Sequence, residues 1–143
     1  MDSTNYYDTF IAVAHDSTTT RGTVPPDRAK PSVALCTWHM IHDHPYRYTS
    51  DDVIFTVHAD RHGVSPEDRP RARVEYFSRP RPCLRTSDLP KKYGWGIHCD
   101  SQGRVALYGM ETPEYAEFVS GRRRSGARQV IVIRAARARR QRS

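Results

Sequence analysis

The sequence predicts an α+β fold: a small, mainly antiparallel sheet with three to four helices, in the order β-α-α-α-β-β-α-β. Two observations lead there. Short runs of aromatic and β-branched residues mark strands near both ends of the chain. Helix-spaced apolar residues between recognisable cap signals fill the first half. The length of 143 residues suits one domain with its own core, and no internal repeat suggests a solenoid.

The elements follow in order. Residues 6–14 (YYDTFIAVA) read as a strand. Residues 17–31 hold Gly22, Pro25, Pro26 and Pro31 and read as a loop, because each proline removes a backbone donor and fixes φ. Val33, Leu35, Cys36 and Met40 recur at helical spacing, which predicts a helix over 32–43 that ends at His44-Pro45.

Thr49 and Asp52 have capping-box spacing, with Asp in place of the usual Glu, and Gly63 is a good residue to follow a helix. Val53, Phe55 and Val57 also alternate as a strand would, but the end signals decide for a helix over 51–62. Ser65-Pro66-Glu67-Asp68 starts another helix, to about Phe77. Residues 78–93 carry Pro80, Pro82 and Pro90 and read as an ordered loop. Residues 94–99 and 105–110 predict a hairpin around the turn 100–103. Thr112 opens a short helix over 113–119, and the VIVI run at 130–133 predicts a last strand.

Composition bounds the rest. Hydrophobic residues make up 37% and charged residues 27%, a polar but globular balance. No run approaches the roughly 18 apolar residues of a membrane span, and the polar N-terminus does not read as a secretory signal. A cytoplasmic location is the expectation. Cys36, Cys83 and Cys99 are too few and too scattered for a disulfide framework or a structural zinc knot.

The formal net charge of +7 is unevenly placed. Nine of the 23 basic residues, all arginines, fall between Gly121 and Ser143, where there is no acid. The first 120 residues therefore hold 14 basic against 16 acidic groups, a net −2. The expected organisation is one α+β domain over 1–120 and an arginine-rich C-terminal tail over 121–143, with a last strand at about 129–134. The tail suits weak, nonspecific contact with nucleic acid, while the body lacks the basic face of a groove-binding domain.

Several segments are similar to a known family. TFIAVA at 9–14, GTVPP at 22–26, PYRYTSDDVIF at 45–55, PCLRTSDLPKKYGWGIH at 82–98 and GRVALYGMET at 103–112 resemble a family of small bacterial and fungal proteins, domain of unknown function 6157. The likeness spans about 5–118. The resemblance implies no activity, ligand or cofactor.

Chemistry-capable side chains concentrate at 82–98. Cys83 and His98 are candidate catalytic residues, since a thiol beside an imidazole makes an activated nucleophile; an inert, buried Cys83 is the alternative. Arg85, Ser87, Lys91, Lys92 and Tyr93 supply donors for an anion within nine residues, and Trp95 adds a flat apolar face. Arg85, Ser87, Lys92, Tyr93 and Trp95 are therefore the candidate ligand-binding residues, against the alternative of a loop packed on the sheet.

His39 with His42, and His58 with His62, have helical spacings at which two imidazoles can share a metal. No third ligand stands at an obvious position, so solvated helix faces are the reading and no metal or cofactor is expected. Asp51-Asp52 and Glu67-Asp68 sit in first turns of helices, where capping explains them. The expected function is a small-ligand-binding protein or small enzyme with an anion-accepting pocket built from 82–98. The alternatives are nucleic-acid association through the tail and an interaction module without chemistry of its own.

Overall fold

A computed structural model describes residues 2–125 and 128–138. It contains strand β1 (Thr9–Ala12), helices α1 (Val33–Asp43) and α2 (Ser50–Arg61), and helix α3 (Arg69–Tyr76) behind the short turn Pro66–Asp68. The turn Leu84–Thr86 and helix α4 (Asp88–Lys92) come next, then strands β2 (Trp95–Cys99) and β3 (Val105–Gly109). Helix α5 (Pro113–Val119), a two-residue ladder of β4 (Arg124–Ser125) with β5 (Arg128–Gln129), and strand β6 (Ile131–Arg134) complete it.

The main sheet has the order β3-β2-β1-β6. β1 pairs antiparallel with β2 and β2 antiparallel with β3, while β6 lies parallel to β1, so the sheet is mixed. The fold is α+β with the order of elements broadly as expected. All four residues of β1 are buried because both faces of this central strand are covered. Ile11 faces a core shared with Ile97, Cys99, Val105, Ile41 of α1 and Val53 and Val57 of α2. Phe10 and Ala12 face the other way, onto Phe118 of α5 and Val130.

The cap signals act as the sequence suggests. Thr49 Oγ1 accepts from the Asp52 amide at 3.2 Å, and an Asp52 carboxylate oxygen accepts from the Thr49 amide at 3.0 Å, closing the capping box. Thr112 caps α5 through the Tyr115 amide, and Ser32, read from the sequence as the first helical residue, instead caps α1 through the Leu35 amide. The alternating burial of α2 has a packing cause. Val53 and Val57 meet the main core, while Phe55 and Ala59 meet Phe77 beside α3 in a third cluster.

Three features differ from the sequence reading. The segment 78–93 is not loop throughout, because Ser87 caps the one-and-a-half-turn helix α4 by accepting from the Leu89 amide. The helix expected from Ser65 begins as a tighter turn at Pro66–Asp68 before α3. The last strand is part of the main sheet. Val130 and Ala135, on either side of β6, are 4% and 6% exposed, so the C-terminal arginine-rich stretch cannot be separated from the body at 120.

The outer edge of β3 is covered by the connector before α2. The Tyr46 amide donates to the Val105 carbonyl, and the Val105 amide to the Tyr48 carbonyl. Tyr46 adopts a left-handed φ of 60° to make this turn, a conformation that costs a non-glycine residue about 1 kcal/mol or more. Among the described residues no helix is long and apolar enough to cross a membrane.

Candidate functional site

A groove of about 360 Å³ opens between α2, the start of α1 and the segment 82–88. Its apolar lining comes from Val33 and Ala34 of α1, Ile54 and Val57 of α2, and Leu84, with Val33 exposed at its edge. Helical spacing explains the α2 wall: Ile54, Val57, His58 and Arg61 lie at i, i+3, i+4 and i+7, one face of the helix. The polar rim is formed by His58, Arg61 and His62 on one side and Cys83, Thr86, Ser87 and Asp88 on the other.

The rim histidines are held in place. His62 Nδ1 bonds the His58 carbonyl at 2.9 Å, and the two rings lie 4.3 Å apart. His58 also lies 4.5 Å from the Tyr76 ring. Burial first, then His62 and Arg81, hold the His58 imidazole below its ordinary pKa, so it is neutral at neutral pH. Arg61 donates from Nη1 to the Pro31 carbonyl, which ties its guanidinium to the residue before the α1 cap.

Cys83 shares a hydrogen bond with the Tyr6 hydroxyl, Sγ to Oη 3.2 Å. That bond, then burial, pushes the Tyr6 phenol up to about 12, so the pair stays uncharged on the phenol side. His98 is not the partner of this thiol. Cys83 lies on the α1/α2 face of the sheet beside Leu84, whereas His98 projects to the α5 face and packs 4.5 Å from Phe118. Strand alternation enforces the split, since the neighbouring Cys99 takes the α1/α2 side. The thiolate–imidazole couple of Cys83 and His98 does not form.

His98 instead joins a phenol chain. Its Nδ1 is 2.8 Å from the Tyr46 hydroxyl, which is 2.7 Å from the Tyr108 hydroxyl. His98 is 5% exposed, and its Nε2 is buried with no hydrogen-bond partner. Burial pushes the imidazole down to about 4. Burial, then the Tyr108 hydroxyl, raises the Tyr46 phenol above its ordinary value. This cluster is closed to solvent at its centre, so it supports the fold.

The expected ligand-binding residues separate. Ser87 lines the groove as the cap of α4. Arg85 does not. It is exposed and donates from Nε to the Arg134 carbonyl at 2.6 Å, docking the end of β6. Lys92 is exposed, 3.9 Å from Asp88. The Tyr93 carbonyl accepts from the Thr23 amide at 2.8 Å. Trp95 donates from Nε1 to the Thr23 carbonyl at 2.8 Å and packs near Trp38.

The glycines beside Trp95 serve packing. A Cβ at Gly94 would collide with the Arg21 carbonyl, and one at Gly96 with the Phe10 ring. The segment 82–98 thus supplies one wall of a groove at 82–88 and then leaves it to enter the sheet. The opposite wall, on α2, was signalled only by the His58/His62 spacing.

Other candidates resolve as structure. His39 and His42 both bond Asp43, at 3.3 and 3.2 Å; these bonds, His42 first, hold its carboxyl below the usual range. Among the described residues no group of three or more His, Cys, Asp or Glu is placed to hold a metal ion. Asp52 pairs with Arg73 at 2.9 Å, and buried Asp51 accepts three hydrogen bonds from Ser3 and Thr4.

No curated protein and no solved structure matches the chain. One family model does, over residues 1–140, which takes in the sheet, both faces of helices and both walls of the groove. The chain belongs to the family described as "Family of unknown function (DUF6157)".

Proposed function

We propose that the chain is a small-ligand-binding protein or small enzyme whose site is the groove between α2 and residues 82–88. The observation behind this reading is the groove's composition. An apolar lining of Ala34, Ile54, Val57 and Leu84, with Val33 at its exposed edge, stands beside a few convergent polar groups, the usual make-up of a small-molecule site. Its volume of about 360 Å³ lies within the range that holds a metabolite-sized molecule. Cys83 and His58 face this space as the groups able to touch a bound molecule.

The test is a thermal-shift screen of metabolites against the full chain, because a ligand that binds only the folded state raises its stability by mass action. A true occupant also slows alkylation of Cys83 by iodoacetamide, and its effect is lost when Ile54→Trp fills the groove. If no compound both raises the midpoint and shields Cys83, the groove is not a binding site.

A further inference from the structure

A second, smaller cavity of about 220 Å³ adjoins the groove. It is lined by Ala72, Glu75 and Tyr76 of α3, Arg79 and Arg81 after it, and His58 of α2. His58 and Tyr76 line both spaces, so the two cavities meet across this pair of rings. Their chemistry differs. The groove has an apolar lining, and its charged groups, Arg61 and Asp88, balance. The smaller cavity holds two guanidiniums against the single carboxylate of Glu75, an excess of one positive charge.

We propose that the two cavities form one bipartite site for an amphipathic anion, with its apolar body in the groove and its carboxylate or phosphate head against Arg79 and Arg81. This inference rests on the groove being a ligand site and adds the class of ligand. Arg81 is positioned for the role. Its Nε donates to the Tyr76 carbonyl at 2.8 Å and its guanidinium stacks 4.0 Å from the Tyr76 ring centroid, which leaves the outer nitrogens of the fork free of that bond. Arg79 is exposed and, among the described residues, makes no hydrogen bond or ion pair. A fixed guanidinium beside an uncommitted one matches the bidentate demand of a carboxylate or phosphate.

His58, at the junction, reports the charge of the head. It faces His62, Arg61, Arg81, Arg79, Glu75 and Tyr76, and burial first, then His62 and Arg81, already hold its pKa down. An anion near Arg81 offsets the Arg81 charge and raises it, whereas a neutral ligand only buries the ring further and lowers it.

Octanoate, octyl phosphate and 1-octanol, titrated into the full chain, separate the cases by isothermal calorimetry and by the His58 ring signals in NMR. Both anions bind more tightly than 1-octanol and raise the His58 pKa, and their advantage shrinks with added salt. The preferred anion tells a carboxylate head from a phosphate head. Arg79→Gln, at a site with no structural bond to lose, weakens the anions roughly tenfold and leaves 1-octanol unchanged. Glu75→Gln acts in the opposite direction. Equal binding of 1-octanol and the anions, or no effect of Arg79→Gln, overturns the head-group assignment and leaves the groove reading in place. No binding of any of the three at about 1 mM overturns the amphipathic-anion assignment, while the groove reading stands or falls with the thermal-shift screen and Cys83 shielding.

Discussion

Arg85 and Arg134, 49 positions apart, meet through a hydrogen bond from Nε of the first to the carbonyl of the second at 2.6 Å. The Ala136 amide returns a bond to the Arg85 carbonyl at 2.9 Å. Arg85 thereby covers part of the outer edge of β6, an edge strand that otherwise shows Ile131 and Val132 to solvent. Its planar fork fixes backbone, and the rim of the groove is tied to the C-terminal strand through it.

Arg85→Ala therefore lowers stability and leaves groove binding alone. The loss is about 1 kcal/mol, the usual net worth of one hydrogen bond. Urea denaturation with a titration of any groove ligand checks both halves. An unchanged midpoint with a large loss of affinity would place Arg85 in the binding site after all.

Much of this fold is legible in the sequence where a local rule acts alone. Thr49 with Asp52, Thr112 and the turn at 100–103 announce element ends that the structure reproduces. The groove is less legible because it is assembled from distant pieces. Ile54, Val57 and His58 face Leu84 and Ser87 only because α2 packs between the sheet and α3, and no spacing in the sequence encodes that approach. Likewise Cys83 and His98 lie close in sequence yet on opposite faces of the sheet. His98 takes the face of its register partner Phe10, while Cys83, outside the strands, stands against α1 and α2 on the other side.

His98 makes stability depend on pH. Its folded pKa of about 4 lies below the value near 6.5 expected when unfolded. Between those values the unfolded chain binds the extra proton, so stability falls as pH drops from about 6.5 toward 4 and is unaffected above. The full difference is about 3 kcal/mol, at 1.36 kcal/mol per unit. Urea midpoints at pH 7 and pH 4.5 measure it, with His98→Gln as the comparison. If the variant shows the same slope, the loss belongs to other groups.

Asp51 anchors the N-terminal segment to α2. Its carboxylate accepts from the Ser3 hydroxyl at 2.8 Å and from the Thr4 amide and hydroxyl at 2.7 Å each, and it is 2% exposed. Asp51→Ala strands the buried Thr4 amide, so it should cost about 2–4 kcal/mol. Removing residues 1–5 from the Asp51→Ala protein adds little further loss, because both changes break the same contacts. Additive losses in a double-mutant cycle would show that Asp51 acts some other way.

Truncation from the C-terminus separates fold from charge. A stop after Gln129 deletes β6, unpairs one edge of β1 and uncovers Phe10 and Ala12, which Val130 helps to bury. That chain should not fold. A stop after Ala135 keeps the strand but loses two bonds, from the Ala136 amide to Arg85 and from the Ala138 amide to Asp16 Oδ1 at 2.7 Å. The expected cost is about 1–2 kcal/mol. A stop after Ala138 keeps every described contact and removes Arg139, Arg140 and Arg142. Its unfolding midpoint should match the full chain, while it elutes from a heparin column at lower salt, because fewer cations then release counterions on binding. Retention should not vanish, since Arg122, Arg124, Arg128 and Arg137 remain exposed on the folded body. A fall in midpoint on removing 139–143 would mean those residues help hold the fold, and the split between fold and charge would have to be drawn earlier in the chain.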